Sequence, residues 1–371
     1  MANGSGTLRI GVIGVGFGSV VHLPGLQSED GIEVVSVTAR REERAREAAE
    51  RFGIPRVFTD YREMLASDDI DAVSIASPLT LHCEMACAAL EAGKHVICEK
   101  PTAVDVGEAR MMRDAARRHP ELTAMIAHEF RWAPQRASVK ELVDQGYIGN
   151  LHLVRGHLFT GFRNPVRPRQ APARDLGLRG GFWWSQGSHY FDALRHWFGD
   201  IVSVQALLVA QYPERVDADG RTVTTTIDDT FSVTCEFANG GIGTFTGSNV
   251  AAFGQGAEFE IFGTEGSLSI PQLLPRAMNP SPDGKVYGAR FGADEGPERK
   301  ELPMPERFRP FVDDRDQRLL AFRLMVRSFL EGVRTGTSPA PNFEDGYRIQ
   351  QVLDAAVESQ ETGRKVAITF D

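Results

Sequence analysis

Short apolar runs alternate with amphipathic segments over the first third of the chain. Buried strands are predicted where four to seven mostly apolar residues occur together, at 8–13, 32–38, 72–76, 95–98 and 123–127. Helices are predicted between them, where apolar positions recur with helical spacing, at 42–52, 82–92 and 106–118. Alternation of strand and helix predicts parallel pairing in a doubly wound α/β sheet, which binds its ligand at the carboxyl ends of the strands.

The pattern of apolar positions changes after residue 150. Longer segments that alternate between apolar and polar positions predict strands at 202–209, 230–236, 243–250 and 258–262. Turn-forming glycines separate these segments, which favours antiparallel pairing in a second, α+β domain. Two late helices, 319–332 and 343–362, are expected to pack back against the body of the protein. We therefore predict a Rossmann domain at 1–128 and a second domain at 129–371.

A glycine-rich turn follows the first predicted strand at once. Gly14 permits a tight turn, Gly16 lets the backbone approach a pyrophosphate, and Gly18 opens the helix that follows. Phe17 lies between the last two glycines and is included in the predicted dinucleotide site. The alternative is an ordinary glycine turn, but a strand before and a helix after are the context that dinucleotide binding requires.

The end of the second strand bears on the choice between the two nicotinamide dinucleotides. An NAD site usually places a carboxylate there to hold the ribose 2′-hydroxyl, whereas this chain has Ala39 followed by Arg40. A guanidinium binds a 2′-phosphate through paired, charge-assisted hydrogen bonds. We therefore predict NADP(H) as the preferred cofactor and NAD(H) as the other choice, with Arg40 as the main contact. The alternative is that Arg40 belongs to the solvated start of a helix.

Polar residues also follow the later strands of the predicted sheet. The predicted cofactor contacts among them are Ser77, Pro78, Thr80, His82, Glu99, Lys100 and Arg131. They share the edge of the glycine turn, where a dinucleotide would lie. A surface salt bridge is the alternative for Arg131, and His22, early in the first helix, is assigned to packing. Lys100 ends an apolar strand between Glu99 and a proline, where its ammonium group could act on a substrate oxygen.

Composition narrows the classes of partner. The net charge of −9 argues against nucleic acids and anionic membranes. Four cysteines without a regular spacing predict neither structural disulfides nor a metal site, and a reducing cytoplasm is the expected location. The polar first residues and the absence of a long apolar run predict neither a signal segment nor a membrane span.

The motifs together resemble the Gfo/Idh/MocA oxidoreductase family, which includes glucose–fructose oxidoreductase and inositol dehydrogenase. The resemblance rests on the glycine turn and on the stretches 92–101, 180–199, 228–230, 261–266 and 344–346. It implies a Rossmann domain and a C-terminal substrate-binding domain built on a large open sheet. It further implies oxidation or reduction of a sugar, cyclitol or related alcohol, and a homodimer or homotetramer formed through that sheet.

The stretch 180–199 supplies a second candidate group. His189 and Asp192 face the same side if this stretch is helical, and a histidine there could exchange the proton of a hydroxyl. The resemblance implies that His189 is the acid/base, that Lys100 assists it, and that Asp192 supports the site. Trp183 and Trp184 could stack on a sugar face, with a place in the core as the alternative.

One position departs from the family pattern. Many members carry an aspartate four residues before the histidine, where this chain has Ser185. A serine, included here among the substrate contacts, cannot stabilise an imidazolium with a full charge, so the proton affinity of His189 should fall. Lys100 as principal acid/base, Asp192 as substitute partner, and a different reaction all stay open. Two rival functions also remain, a glycoside-cleaving enzyme that retains its NAD and a non-catalytic NADP-binding regulator.

Overall fold

The computed structural model describes residues 6–161, 169–170, 177–217, 219–272, 279–292 and 298–371. The chain divides into two compact units, each built from two separate parts of the sequence. The first unit comprises Met1–Trp132 and Phe311–Gln350, and the second comprises Ala133–Pro310 and Gln351–Asp371.

Helices and strands are numbered in chain order. The strands are β1 Leu8–Ile13, β2 Ile32–Thr38, β3 Arg56–Phe58, β4 Ala72–Ile75, β5 His95–Cys98, β6 Ala124–Ile126, β7 Leu151–Phe159, β8 Arg169–Gln170, β9 Ile201–Val209, β10 Glu214–Val216, β11 Thr222–Thr224, β12 Thr230–Phe237, β13 Ile242–Ser248, β14 Gly256–Gly263, β15 Gly266–Gln272, β16 Tyr287–Arg290, β17 Lys300–Glu301 and β18 Val366–Ala367. The helices are α1 His22–Leu26, α2 Glu42–Phe52, α3 Tyr61–Leu65, α4 His82–Glu91, α5 Val106–Arg118, α6 Pro134–Asp144, α7 Ser188–Phe198, α8 Leu319–Thr335 and α9 Phe343–Thr362.

The first unit contains a six-stranded parallel sheet in the order β3-β2-β1-β4-β5-β6. The order reverses direction at β1, and ligands of doubly wound sheets bind at such a switch point. The register pairs Ile75 with Cys98 and Cys98 with Ile126, so the ends of β4, β5 and β6 lie side by side. The predicted doubly wound Rossmann architecture is therefore confirmed.

A distant part of the chain completes the core of the first unit. The last strand of the sheet ends at Ile126 and α8 begins only at Leu319, yet the apolar face of this helix is buried in the same cluster as β1. At Gly25 in α1 an added Cβ would come within 2.5 Å of the Phe322 ring of α8, so a glycine permits this close packing.

A nine-stranded sheet dominates the second unit. Its order is β17-β16-β15-β14-β7-β13-β12-β9-β18, and only the β7–β13 pair among its described pairs is parallel. One face is covered by α7, where Tyr190 packs on Phe245 and Phe259. The prediction of a large, mostly antiparallel sheet is thus confirmed. None of the helices in the described part of the chain is long and apolar enough to cross a membrane.

Candidate active site

The glycine turn joins β1 to a short 3₁₀ segment, Phe17–Ser19, and then to α1. Gly14 has a φ of +103°, and an added Cβ would lie 2.4 Å from the carbonyl oxygen of Ala76. At Gly16, by contrast, no described heavy atom lies within 4 Å of an added Cβ. The backbone therefore requires glycine at position 14, whereas Gly16 leaves open space at the edge where a pyrophosphate would approach.

Two other residues of the turn are Gly18, where a small side chain would fit, and Phe17, which is held by a neighbouring cation. An added Cβ at Gly18 would meet Val12 and Ala76 at ordinary contact distances of 3.4 and 3.5 Å. The centroid of the Phe17 ring lies 5.0 Å from the guanidinium carbon of Arg318, which immediately precedes α8. A cation over an aromatic face is an attractive arrangement, and it holds Phe17 at the carboxyl edge of the sheet.

The segment after β2 carries the predicted 2′-phosphate contact. Ala39 is partly exposed and Arg40 is exposed, and α2 starts two residues later. Arg46 on α2 pairs with Glu42, whereas Arg40 has no ion pair among the residues that the structure describes. The guanidinium of Arg40 is therefore available at the end of β2.

His82 links two of the strand ends. Its Nδ1 lies 3.0 Å from the carbonyl oxygen of Pro101 and its Nε2 lies 3.0 Å from that of Ser77. Burial lowers the pKa of the imidazole, although these two carbonyls act in the opposite direction. His82 thus holds the segment after β4 against the segment after β5. Pro78 and Thr80 lie on the first of these segments and are partly or fully exposed.

Glu99 and Lys100 follow β5 directly. The backbone N–H of Lys100 donates to Glu99 Oε2 at 3.0 Å, and the Lys100–Pro101 peptide is cis. The other carboxylate oxygen, Oε1, accepts from His22 Nε2 at 2.9 Å. Burial alone would raise the pKa of Glu99, but the hydrogen bond from His22 and the nearby charge of Lys100 act against burial, and the pKa is lowered. An ionised carboxylate is thereby fixed beside the partly exposed Lys100.

A second buried glutamate follows the neighbouring strand. Glu129 begins a 3₁₀ segment after β6 and is 2% exposed, and its Oε2 has no partner among the described residues. Burial and the charge of Glu99 raise the pKa of Glu129 to about 8, against the opposing charge of Lys100. The two glutamates therefore differ in charge at neutral pH. Arg131 lies in the same segment, buried, with its guanidinium 3.7 Å from Asp345.

In the second unit, α7 carries His189 and Asp192. Both are buried, and their spacing of three places them on the same side of the helix. Arg136 of α6 donates from Nη1 to the backbone oxygen of His189 at 3.1 Å, and its guanidinium lies 4.8 Å from the centroid of the Tyr190 ring. The start of α7 is thus tied to α6.

The residues before α7 form a π-helical turn, Trp183–Gly187. Trp183 is buried against Phe191 and Phe231, and its Nε1 donates to the carbonyl oxygen of Leu353 at 3.2 Å. These contacts favour the core alternative for Trp183. Trp184 is also buried, but its Nε1 has no partner among the described residues.

Ser185 lies in the same turn and brings no charge to the histidine. Its Oγ donates to the carbonyl oxygen of Phe182 at 3.4 Å. The turn is anchored by Asp228, just before β12, whose Oδ2 accepts from the backbone N–H of Trp183 at 2.8 Å. Burial raises the pKa of Asp228 to about 7, although this N–H and that of Phe182 oppose the shift.

Two family models match the chain over most of its length. A model described as an oxidoreductase family with an NAD-binding Rossmann fold matches residues 8–128, and its C-terminal alpha/beta domain matches residues 140–368. The chain belongs to this Gfo/Idh/MocA oxidoreductase family. It is accordingly an enzyme, a dehydrogenase or reductase with an NAD-binding Rossmann domain.

Named members of the Gfo/Idh/MocA family align along nearly the whole chain. Levoglucosan dehydrogenase of Pseudarthrobacter phenanthrenivorans is 29% identical, over 95% of this chain and 96% of its own. Myo-inositol 2-dehydrogenase of Thermotoga maritima is 27% identical, over 97% and 98%. A solved levoglucosan dehydrogenase complex with NADH and levoglucosan covers 98% of this chain and 99% of its own, with 26% identity and a TM-score of 0.84.

The sequence alone does not predict three residues of this arrangement. It favours packing for His22, it gives no role to Glu129, and it includes Asp228 only within a stretch that carries the family resemblance. His22 and Glu129 each have a signal in the sequence, because each is a titratable residue in a largely apolar run, Val20–Pro24 and Ile126–Phe130. Asp228 has no such signal, because threonines and Asp229 surround it in the sequence. Burial of a charged residue is rare without a partner or a function.

Proposed function

We propose that this protein is an NADP(H)-preferring dehydrogenase that acts on a hydroxyl-bearing carbon of a sugar or cyclitol. The observation that carries the proposal is Lys100, held by an ionised Glu99 at the carboxyl end of β5, on the edge that also carries the glycine turn. Relatives named for levoglucosan and myo-inositol support a polyol substrate.

The residues at this edge suit a dinucleotide. The space at Gly16 and the close approach of Gly14 to Ala76 form a cradle that larger side chains would fill. When bound, the dinucleotide would supply the hydride chemistry at its nicotinamide ring. Ser77, Pro78 and Thr80 would lie along it.

In this proposal Lys100 holds and polarises the reacting oxygen through its ammonium group. His189 accepts the hydroxyl proton during oxidation and returns it during reduction. Asp192, one turn along α7, positions the substrate or the imidazole. Trp184 and Ser185 are proposed to line the substrate side, while Trp183 supports them from the core.

The preference for NADP(H) rests on the end of β2. Ala39 removes the carboxylate that would repel a 2′-phosphate, and Arg40 is exposed there without an ion pair among the described residues. A charge-assisted hydrogen bond contributes about 1.5–3 kcal/mol. Arg40→Ala should therefore raise the Kd for NADPH about 10- to 100-fold and leave that for NADH nearly unchanged.

Fluorescence titration of the bound nicotinamide measures both dissociation constants. Arg46→Ala is the matched control, because it removes an exposed arginine of α2 that is paired with Glu42. Equal weakening of both cofactors in Arg40→Ala, or the same effect in Arg46→Ala, would refute the 2′-phosphate contact.

The activity itself is tested with a panel of sugars, anhydrosugars and cyclitols, each assayed with NADP and NAD by nicotinamide absorbance. Lys100→Met should lower kcat about 10²- to 10⁴-fold and change the cofactor Kd little, because it removes only the ammonium group. Lys140→Met serves as control, since Lys140 pairs with Asp144 on α6. Full activity of Lys100→Met would remove Lys100 from the mechanism. Turnover without added nucleotide would favour the glycoside-cleaving alternative.

We also propose a cytoplasmic homodimer or homotetramer. The face of the nine-stranded sheet that α7 does not cover exposes the apolar side chains of Leu207, Val209 and Ile242. Large apolar side chains exposed on one sheet face favour a subunit interface there. Light scattering of the purified protein measures the oligomeric state, and Leu207→Glu should shift it towards the monomer.

A further inference from the structure

A chain of three buried side chains leads away from Lys100 into the first unit. Ser74 Oγ on β4 lies 2.7 Å from His22 Nδ1, and His22 Nε2 lies 2.9 Å from Glu99 Oε1. Glu99 Oε2 in turn accepts the backbone N–H of Lys100. We propose that His22 is a positioning residue, which holds the Glu99 carboxylate ionised and fixed in orientation for Lys100. This inference rests on the proposed role of Lys100.

The His22 ring has little freedom to move. It is 0% exposed, and it packs edge-on to Phe17 at 5.8 Å and against Phe322 of α8 at 4.7 Å between ring centroids. Both ring nitrogens are engaged, so the ring cannot rotate without losing two hydrogen bonds. A side chain needed only for packing would not require a hydrogen-bond partner at each of its two ring nitrogens.

The hydrogen-bonded series Ser74–His22–Glu99 is buried too deeply to act as a nucleophilic triad. Ser74 and His22 are both fully buried, on β4 and at the start of α1, so no substrate carbon reaches the hydroxyl. Of these three side chains, Glu99 is the one that accepts the backbone N–H of Lys100. The geometry therefore assigns Ser74 and His22 to the support of Glu99 rather than to chemistry of their own.

Several charged and titratable groups surround Glu99. They are His22 from α1, Cys98 and Lys100 on its own segment, His82 from α4, Glu129 after β6 and Arg318 before α8.

The hydrogen bond from His22 is the largest influence that favours the ionised carboxylate. The charge of Lys100 acts in the same direction, whereas burial acts against it. Removal of the His22 hydrogen bond should leave burial dominant, so the pKa of Glu99 should rise.

The test compares His22→Phe with wild type. Phenylalanine keeps a ring between Phe17 and Phe322 but cannot donate to Glu99. The acid limb of the kcat/KM profile should move to higher pH. At pH 7, kcat/KM should fall about tenfold for each unit by which the pKa of Glu99 exceeds 7. Activity should return at alkaline pH. His22→Gln, which keeps a donor, should restore most of the profile.

Phe322→Leu is the structural control, because it removes the packed ring and keeps both hydrogen bonds of His22. It should lower the melting temperature without moving the acid limb. An unshifted acid limb in His22→Phe, or an equal shift in Phe322→Leu, would show that His22 only packs.

A second readout needs no turnover. In wild type the lowered pKa of Glu99 stabilises the fold above about pH 4.5, whereas a raised pKa in His22→Phe destabilises it as pH rises beyond that value. The melting-temperature gap between the two should therefore widen from about pH 5 to about pH 8. The imidazole of the unfolded chain itself titrates at about pH 6.5, so the two backgrounds are compared above about pH 7.5, where the His22→Phe gap in Glu99→Gln should stay constant with pH.

The double variant also decides the case in which His22→Phe fails to fold at pH 7. Recovery of folding in Glu99→Gln/His22→Phe supports the inference, and failure to fold beside a folded Glu99→Gln overturns it. Absence of turnover by wild type on every polyol would count against the proposed function alone, because the melting-temperature cycle would still show whether His22 supports Glu99.

Discussion

Replacement of Glu129 by glutamine should make the cofactor-free protein more stable at alkaline pH. Glu129 is buried beside the ionised Glu99, and the two effects raise its pKa from 4.5 to about 8. The folded state thus keeps a proton that the unfolded chain loses near pH 4.5. In that window the folded state binds more protons, so stability falls as pH rises.

The size of the change in the free energy of unfolding follows from the difference between the folded and unfolded pKa values of Glu129. A shift of about 3.5 pH units at about 1.4 kcal/mol per unit gives a cost approaching about 5 kcal/mol once Glu129 is ionised in both states. Most of this cost develops between about pH 5 and about pH 9, where Glu129→Gln should gain about 4 kcal/mol over wild type. At about pH 5 the two proteins should be nearly equal, because glutamine resembles a protonated glutamate.

Urea denaturation at several pH values measures the free energy of unfolding of both proteins. Glu47→Gln, at an exposed position on α2, is the matched control and should follow the wild-type pH dependence. Parallel curves for wild type and Glu129→Gln would refute the reasoning, since Glu129 would then ionise in the folded protein as it does in the unfolded chain.

Two further predictions concern the glycine turn and the histidine helix. Gly14→Ala should destabilise the first unit, because the φ of residue 14 is +103° and the added Cβ would meet Ala76. Gly16→Ala should fold normally and weaken cofactor binding at least about tenfold. Thermal melts and cofactor titrations separate these outcomes, and normal cofactor affinity of Gly16→Ala would contradict the cradle. Ser185→Asp should raise the pKa of His189 and move the corresponding limb of the kcat/KM profile upward by about one pH unit. An unmoved limb would mean that His189 does not sense residue 185.

The sheet strands of the first unit are predictable because each is a local apolar run. β1, β2, β5 and α5 begin and end at the predicted residues, since glycines and polar residues mark their ends in the sequence. Periodicity also indicates α8, but no local signal indicates which core its apolar face completes. That depends on the shape match between Gly25 and Phe322, which only the folded chain displays.

The site is predictable only where one segment supplies the chemistry. The glycine turn and Lys100 each stand in a short motif. The support of Glu99 by His22 and Ser74 joins residues 77 and 52 positions apart, so no local spacing reveals it. The π-helical turn before α7 is also beyond local prediction, because it depends on Asp228, which binds the N–H of Trp183 across 45 residues.

The membership of α8 in the first unit has a consequence for how the chain is made. A ribosome releases the six strands of the cofactor domain long before it reaches Leu319, and until then the surface that α8 covers has no partner from its own chain. A shortened gene that ends near residue 132 would leave that apolar surface uncovered permanently. A chimaera that takes its cofactor domain from a relative would therefore have to exchange two separate segments, residues 1–132 and residues 311–350.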